Sequence, residues 1–218
     1  AGMIAIIDYG VGNLFSLRSS LTHLGLEAVV TADAQTIRKV DRLILPGVGA
    51  FGDAMAKLEA TGLVPVIKEE AEKKPLLGIC LGMQMMNTYF LVAEEAERRG
   101  WDGPLLALFE QMKKERYMFT EPVDGHWDGH ITRDNVERFK HPIHVTPGSR
   151  LERLTGKQTI LGASMHNYRI THPARSLTVA GRTDDGTIEA LEYGEQMLGV
   201  QFHPEADDQN DELFRAIL

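Results

Sequence analysis

Through the first hundred residues, short apolar runs rich in β-branched side chains alternate with stretches of helical periodicity, the pattern of βαβ units around a parallel sheet. Met3 to Asp8 reads as a buried strand ending in Tyr9-Gly10-Val11-Gly12-Asn13. Leu14, Leu17, Leu21 and Leu24 then recur at helical spacing until Gly25 closes the helix. Glu27 to Thr31 and Arg42 to Leu45 read as further strands, the second running into the glycine-rich Pro46-Gly47-Val48-Gly49-Ala50-Phe51-Gly52-Asp53. Leu76 to Ile79 is a fourth, and Cys80-Leu81-Gly82-Met83-Gln84 opens a helix to about Glu97. From His141 onward the pattern becomes strands with tight turns: Ile143 to Val145, Ile160 to Ala163, Leu177 to Gly181, Ile188 to Leu191 and Met197 to Phe202, with Asp185-Gly186 as a hairpin turn. The expectation is an α/β three-layer sandwich with a central, mostly parallel mixed sheet, forming one domain over 3–218 with no repeat or low-complexity linker.

Composition narrows the function. A 218-residue chain with a net charge of −8 has no basic excess for gripping phosphate backbones, so no nucleic-acid partner is expected. No apolar run approaches the roughly 20 residues of a spanning helix, so no membrane partner is expected either. A single cysteine, Cys80, excludes an intramolecular disulfide and fits a reducing, cytoplasmic setting.

That cysteine sits where a buried strand gives way to a helix, between Gly78 and Gly82. Small neighbours are what a strained strand-to-helix turn needs to lift a nucleophile clear of the sheet, and a helix N-terminus favours a thiolate over a thiol. A lone cysteine after an apolar strand is also compatible with simple packing. His203-Pro204-Glu205, after the strand Gly199-Val200-Gln201-Phe202, supplies a base and an acceptor to orient it, although the tripeptide alone could be a turn. The Pro46 to Gly49 loop could present N–H groups to a developing oxyanion, bind phosphate, or serve as an ordinary βα turn. Gly10-Val11-Gly12 fails the dinucleotide fingerprint because position 15 is Phe.

Gly78-Ile79-Cys80-Leu81-Gly82-Met83-Gln84 together with Gly199-Val200-Gln201-Phe202-His203-Pro204-Glu205 resembles the triad-type, class I glutamine amidotransferase superfamily. The resemblance implies a flavodoxin-like fold, Cys80 as nucleophile, His203 as base and later acid, and Glu205 as its orienter. It also implies an oxyanion hole from the N–H groups of Gly49 and Leu81, with Gln84, Ser164 and His166 near the bound γ-glutamyl group. Neither a metal nor an organic cofactor is implied.

Within the superfamily, residues 3–86 resemble the glutaminase subunit of imidazole glycerol phosphate synthase, through Ile7-Asp8-Tyr9-Gly10-Val11-Gly12-Asn13-Leu14 and Leu45-Pro46-Gly47-Val48-Gly49-Ala50-Phe51-Gly52. Residues 87–218 are more similar to γ-glutamyl hydrolase relatives, through His141-Pro142-Ile143-His144-Val145-Thr146-Pro147-Gly148-Ser149 and Ser164-Met165-His166-Asn167. Together they resemble a chimera, natural or engineered, with a junction near Asn87. The first likeness implies a glutaminase that passes ammonia to a cyclase partner, with Tyr9 to Asn13 toward that partner. The second implies a free-standing hydrolase of γ-glutamyl amides, and a mismatch between the halves would leave a catalytically silent scaffold.

Arg98 to Arg138 receives no assignment beyond a Met-rich helical stretch and a loop at 123–130. Trp127 and the histidines at 126, 130, 141 and 144 suit a solvated lid or partner-facing loop better than a metal site, because no recognisable ligand spacing joins them. Met83, Met85 and Met86 are assigned to packing, and Lys68 to Lys74 to a solvated helix face.

Overall fold

The computed structural model describes residues 2–126, 136–207 and 211–218. β1 (Ile4–Ile7) is followed by α1 (Leu14–His23), β2 (Ala28–Thr31), α2 (Ala34–Lys39), β3 (Arg42–Leu45), α3 (Phe51–Ala60), α4 (Val64–Ala71), β4 (Leu76–Ile79) and α5 (Leu81–Arg99). The chain continues through α6 (Leu105–Lys114), β5 (Thr120–Pro122), β6 (Lys140–Val145), α7 (Arg150–Thr155), β7 (Thr159–Ala163), β8 (Tyr168–Ile170), β9 (Thr178–Arg182), β10 (Ile188–Tyr193), β11 (Met197–Val200) and α8 (Asp211–Ile217).

One nine-stranded sheet has the order β2-β1-β3-β4-β11-β10-β9-β6-β7, and β5 pairs with β8 apart from it. The strands β2, β1, β3, β4 and β11 run parallel, whereas every pairing from β11 out to β7 is antiparallel. The change follows from the connections: helical crossovers join the early strands, while short turns such as the one at Gly186 (φ +85°) return the later ones directly.

The parallel strands are buried on both faces, which is why they read as continuous apolar runs rather than as alternation. Ala5, Ile7, Leu43 and Leu45 pack against α2 to α6, while Ile4, Ile6, Ile44 and Leu77 pack against Leu17 and Leu21 of α1 and Leu213 and Phe214 of α8. The expected three-layer α/β architecture is present.

Several elements were not anticipated. The sequence carried the signals for α7: Ser149 caps it by accepting from the Glu152 N–H, and Gly156 closes it in the left-handed conformation. The Met-rich stretch inside the unassigned Arg98 to Arg138 region is α6, which buries Leu108, Phe109 and Met112. Lys74 corrects the solvated-face expectation for Lys68 to Lys74. Its ammonium donates to the carbonyls of Ile37, Arg38 and Val40 at 2.7–3.1 Å and pairs with Glu70 at 2.9 Å, closing the C-terminal end of α2. Met83, Met85 and Met86 are buried, as expected.

Candidate active site

The three sequence segments that carry chemistry leave the sheet from adjacent strands. β3, β4 and β11 run side by side in parallel, with Leu45 opposite Gly78 and Ile79 opposite Val200. The Pro46 loop, Cys80 and His203 therefore emerge at the same carboxyl edge, where ligand sites of open α/β sheets form.

Cys80 is the N-cap of α5 and has φ +52°, ψ −109°, a conformation a non-glycine residue rarely adopts. Such strain costs on the order of 1–3 kcal/mol and persists only where the surroundings enforce it. Here the enforcement is visible. The Cys80 N–H donates to the Val200 carbonyl at 2.7 Å, and two glycines let the turn close. A Cβ on Gly82 would lie 2.0 Å from the Leu45 carbonyl oxygen, and one on Gly78 would meet the Gly82 backbone at 3.0 Å.

His203 is buried, with Nδ1 2.5 Å from Oε1 of Glu205. Its backbone N–H donates to Ala163 at 2.9 Å, and the Glu205 carbonyl accepts from the Ser20 hydroxyl at 3.1 Å. β7 and α1 thus hold the two ends of the His-Pro-Glu segment. Burial alone would lower the imidazole pKa, but the charges of Glu205 and Cys80 outweigh it and raise the value well above the ordinary one. Both groups lie close enough to the ring to act on it, and Glu205 holds its Nδ1.

Leu81 is the first residue of α5, so its N–H has no acceptor one turn back. Gly49 has φ +96° and leaves an open backbone at the loop tip. Of the stretch Tyr9 to Asn13, expected to face a partner, Gly10 and Asn13 are exposed, but Tyr9 is buried and its hydroxyl donates to the Pro46 carbonyl at 2.5 Å, bracing the loop from below. A cleft of about 580 Å³ opens beside the pair, with Asn13, Phe15, Val48, Met165, His203 and Glu205 among its walls. Phe15 and Val48 are exposed at 82% and 41%.

Gln201, which sequence reasoning quoted but gave no role, is fully buried, and its amide donates toward the Cys80 sulfur at 3.5 Å. The expected Gln84 reaches the site through it, donating to Gln201 Oε1 at 3.2 Å and to the Tyr168 carbonyl at 3.3 Å. The signal was a polar residue just past an apolar strand, two positions before the histidine.

Ser164 and His166 are buried but engaged elsewhere. The Ser164 hydroxyl lies 3.1 Å from Nδ1 of His126, and the two His166 nitrogens meet the Tyr168 carbonyl and Glu189. His126 is only 2% exposed, which corrects its expected place on a solvated loop, and its ring stacks near His141. His144 does lie at the surface beside Asp184. Trp127 and His130 lie outside the described residues.

A strained cysteine on the elbow of an α/β sheet, with a buried histidine paired to a half-buried glutamate beside it, defines a thiol-dependent hydrolase or acyl-transfer site. The family model "Glutamine amidotransferase class-I" matches residues 5–214. An imidazole glycerol phosphate synthase subunit HisH from Oceanobacillus iheyensis is 49% identical over 206 residues, covering 93% of this chain and 91% of that protein. One from Moorella thermoacetica is 39% identical over 204 residues, covering 93% and 87%. A HisH from Exiguobacterium sibiricum reaches 52% over 84 residues, 38% of this chain and 43% of that protein. A solved glutamine amidotransferase superposes with a TM-score of 0.63 at 17% identity over 99% of this chain and 96% of its own. Another, from Thermotoga maritima, gives 0.57 at 12% identity over 93% and 76%.

The chain belongs to the class-I glutamine amidotransferase family and, within it, to the glutaminase subunits of imidazole glycerol phosphate synthase. Likeness to those subunits spans 93% of the chain and so runs past the junction expected near Asn87.

Proposed function

We propose that the chain hydrolyses the γ-amide of glutamine through Cys80, His203 and Glu205 and passes the ammonia to a separate cyclase subunit. The observation that carries this reading is the strained Cys80 beside a buried His203 whose protonated form is favoured. The Cys80 thiolate attacks the amide carbon, and the N–H groups of Gly49 and Leu81 stabilise the oxyanion. The His203 imidazolium then gives its proton to the leaving nitrogen, so ammonia departs and a γ-glutamyl thioester remains. Water, deprotonated by His203, opens the thioester to glutamate and returns the thiolate. Glu205 keeps the imidazole in the required tautomer throughout.

Gln201 and, through it, Gln84 position the thiolate; Ser164 supports the neighbouring wall. Exposed Phe15 and Val48 at the mouth of the cleft favour a docking partner there, since apolar side chains of that exposure beside a catalytic cleft are suited to coverage. The nine-stranded sheet, drawn from both ends of the chain, supports one domain over 3–218. No helix among the described residues is long and apolar enough to cross a membrane, and a thiol nucleophile suits a reducing cytoplasm.

Glutamate release from glutamine by the wild type and by Cys80→Ala, alone and with an imidazole glycerol phosphate synthase cyclase subunit and its nucleotide ligand, tests the proposal. Cys80-dependent release that rises with the cyclase is expected. Equal release without it would instead favour the free-standing γ-glutamyl hydrolase suggested by Ser164-Met165-His166, and no release would leave a silent scaffold.

A further inference from the structure

The carbonyl of Glu189 accepts from the Gln201 N–H at 2.8 Å, but its side chain runs into a cluster that the proposed reaction does not use. Glu189 is 1% exposed, His126 2% and His166 4%. Oε1 of Glu189 lies 3.1 Å from Nε2 of His166 and 3.3 Å from Nδ1 of His126.

The other nitrogen of each ring fixes its tautomer. His166 Nδ1 is 3.0 Å from the Tyr168 carbonyl, which can only accept, so that nitrogen carries the hydrogen. His126 Nε2 is 2.8 Å from Oδ2 of Asp185. The same carboxyl group accepts from the Thr183 hydroxyl at 2.6 Å and the Thr187 N–H at 2.9 Å through Oδ1, so it acts as an acceptor toward His126 as well. In their neutral forms both histidines therefore aim bare lone pairs at one buried carboxylate oxygen.

Such a centre requires positive charge. A proton on His166 would satisfy one contact, and the Ser164 hydroxyl could serve His126. Among the described residues, Oε2 of Glu189 and Nε2 of His141 would remain buried without a hydrogen-bond partner, and the His141 ring centroid is only 4.6 Å from that of His126. The converging ligand atoms of His126, His166 and Glu189 all lie within 4.8 Å of one another. Adjacent ligands of a tetrahedral ion at 2.0–2.2 Å are separated by about 3.3–3.6 Å, close to the Glu189–histidine distances of 3.1 and 3.3 Å.

We infer that His126, His166 and Glu189 form a binding site for a divalent transition-metal ion of the zinc class. Two imidazoles and one carboxylate are borderline donors that suit zinc and cobalt over magnesium or calcium. Asp185 and the Tyr168 carbonyl supply the outer hydrogen bonds that orient such ligands. Three protein ligands leave one position open, and the Ser164 hydroxyl and the His141 ring both lie beside His126. The ion would tie the segment 123–126 after β5 to β10 and to the approach to β8, next to Gln201.

Metal-free protein titrated with Co²⁺, followed by visible absorption, tests the site, with Zn²⁺ uptake measured by equilibrium dialysis. The expected result is one ion per chain and the intense visible bands of a low-coordinate cobalt site. His166→Gln and Glu189→Gln should weaken binding at least 100-fold. Asp185→Asn, at a partly exposed outer position, should weaken it about 10–100-fold with the circular dichroism unchanged, so the test does not depend on the core variants folding. His144→Gln, at the exposed His144–Asp184 pair, should change nothing. Uptake that survives all three cluster substitutions, or no uptake together with a persistent His166 imidazolium in nitrogen-detected NMR, overturns the inference. These readouts do not depend on glutamine hydrolysis.

Discussion

Gly82 at the start of α5 faces the carbonyl oxygen of Leu45 at the end of β3 so closely that a Cβ would lie 2.0 Å from it. That contact sets how far α5, with Cys80 at its N-cap, stands from the end of β3 and the Pro46 loop that follows it. Backbone on one side and helix on the other leave no flexible group to yield.

Gly82→Ala should therefore fold with a displaced elbow. An overpacked contact of this kind costs about 1–3 kcal/mol, and a shift near 1 Å can cost on the order of 100-fold in rate. Urea denaturation and glutaminase kinetics should show both losses together. Wild-type kcat in a destabilised variant would show that the contact is structural only.

Gly49→Ala separates the oxyanion donor from stability. No atom lies near the new methyl, so the penalty comes from φ +96° alone, about 1 kcal/mol. Alanine keeps the N–H but strains the backbone at φ +96°, so if that N–H meets the oxyanion a shift near 1 Å should lower kcat on the order of 100-fold with KM little changed. An unchanged kcat would assign the oxyanion to other donors.

Glu205→Gln should act on both catalysis and pH dependence. His203 has a raised pKa in the fold, so its charged form contributes stability that is fully present below about pH 6.5 and is lost as pH rises through the raised folded value. Burial opposes that charge, and Glu205 is the largest influence favouring it. The stability gap between wild type and Glu205→Gln should be widest below about pH 6.5 and narrow as pH rises through the raised folded value of His203. Turnover should drop on the order of 100-fold or more. A gap independent of pH would mean that Glu205 does not stabilise the imidazolium.

Lys74→Met should lower the melting temperature by on the order of 5 °C, because three carbonyls at the end of α2 lose their donor together. Glutaminase activity at low temperature should stay close to wild type. An unchanged melting temperature would mean that water replaces the ammonium without cost.

The sequence by itself determined the parallel half of the sheet, the elbow and the His-Pro-Glu segment. These depend on local rules: continuous apolar runs where both faces are covered, glycine where a turn must close, and a base within two residues of its orienter. Where chemistry depends on residues far apart in the chain, local pattern was silent. Gln201 meets Cys80 only because β11 pairs with β4 in register, and His126 joins His166 and Glu189 only because β10 carries Glu189 to them. Lys74 looked like one more surface charge until α2 was seen to end against it. Periodicity fixes which face of a strand or helix is buried, but strand order and crossover geometry decide which buried polar groups meet.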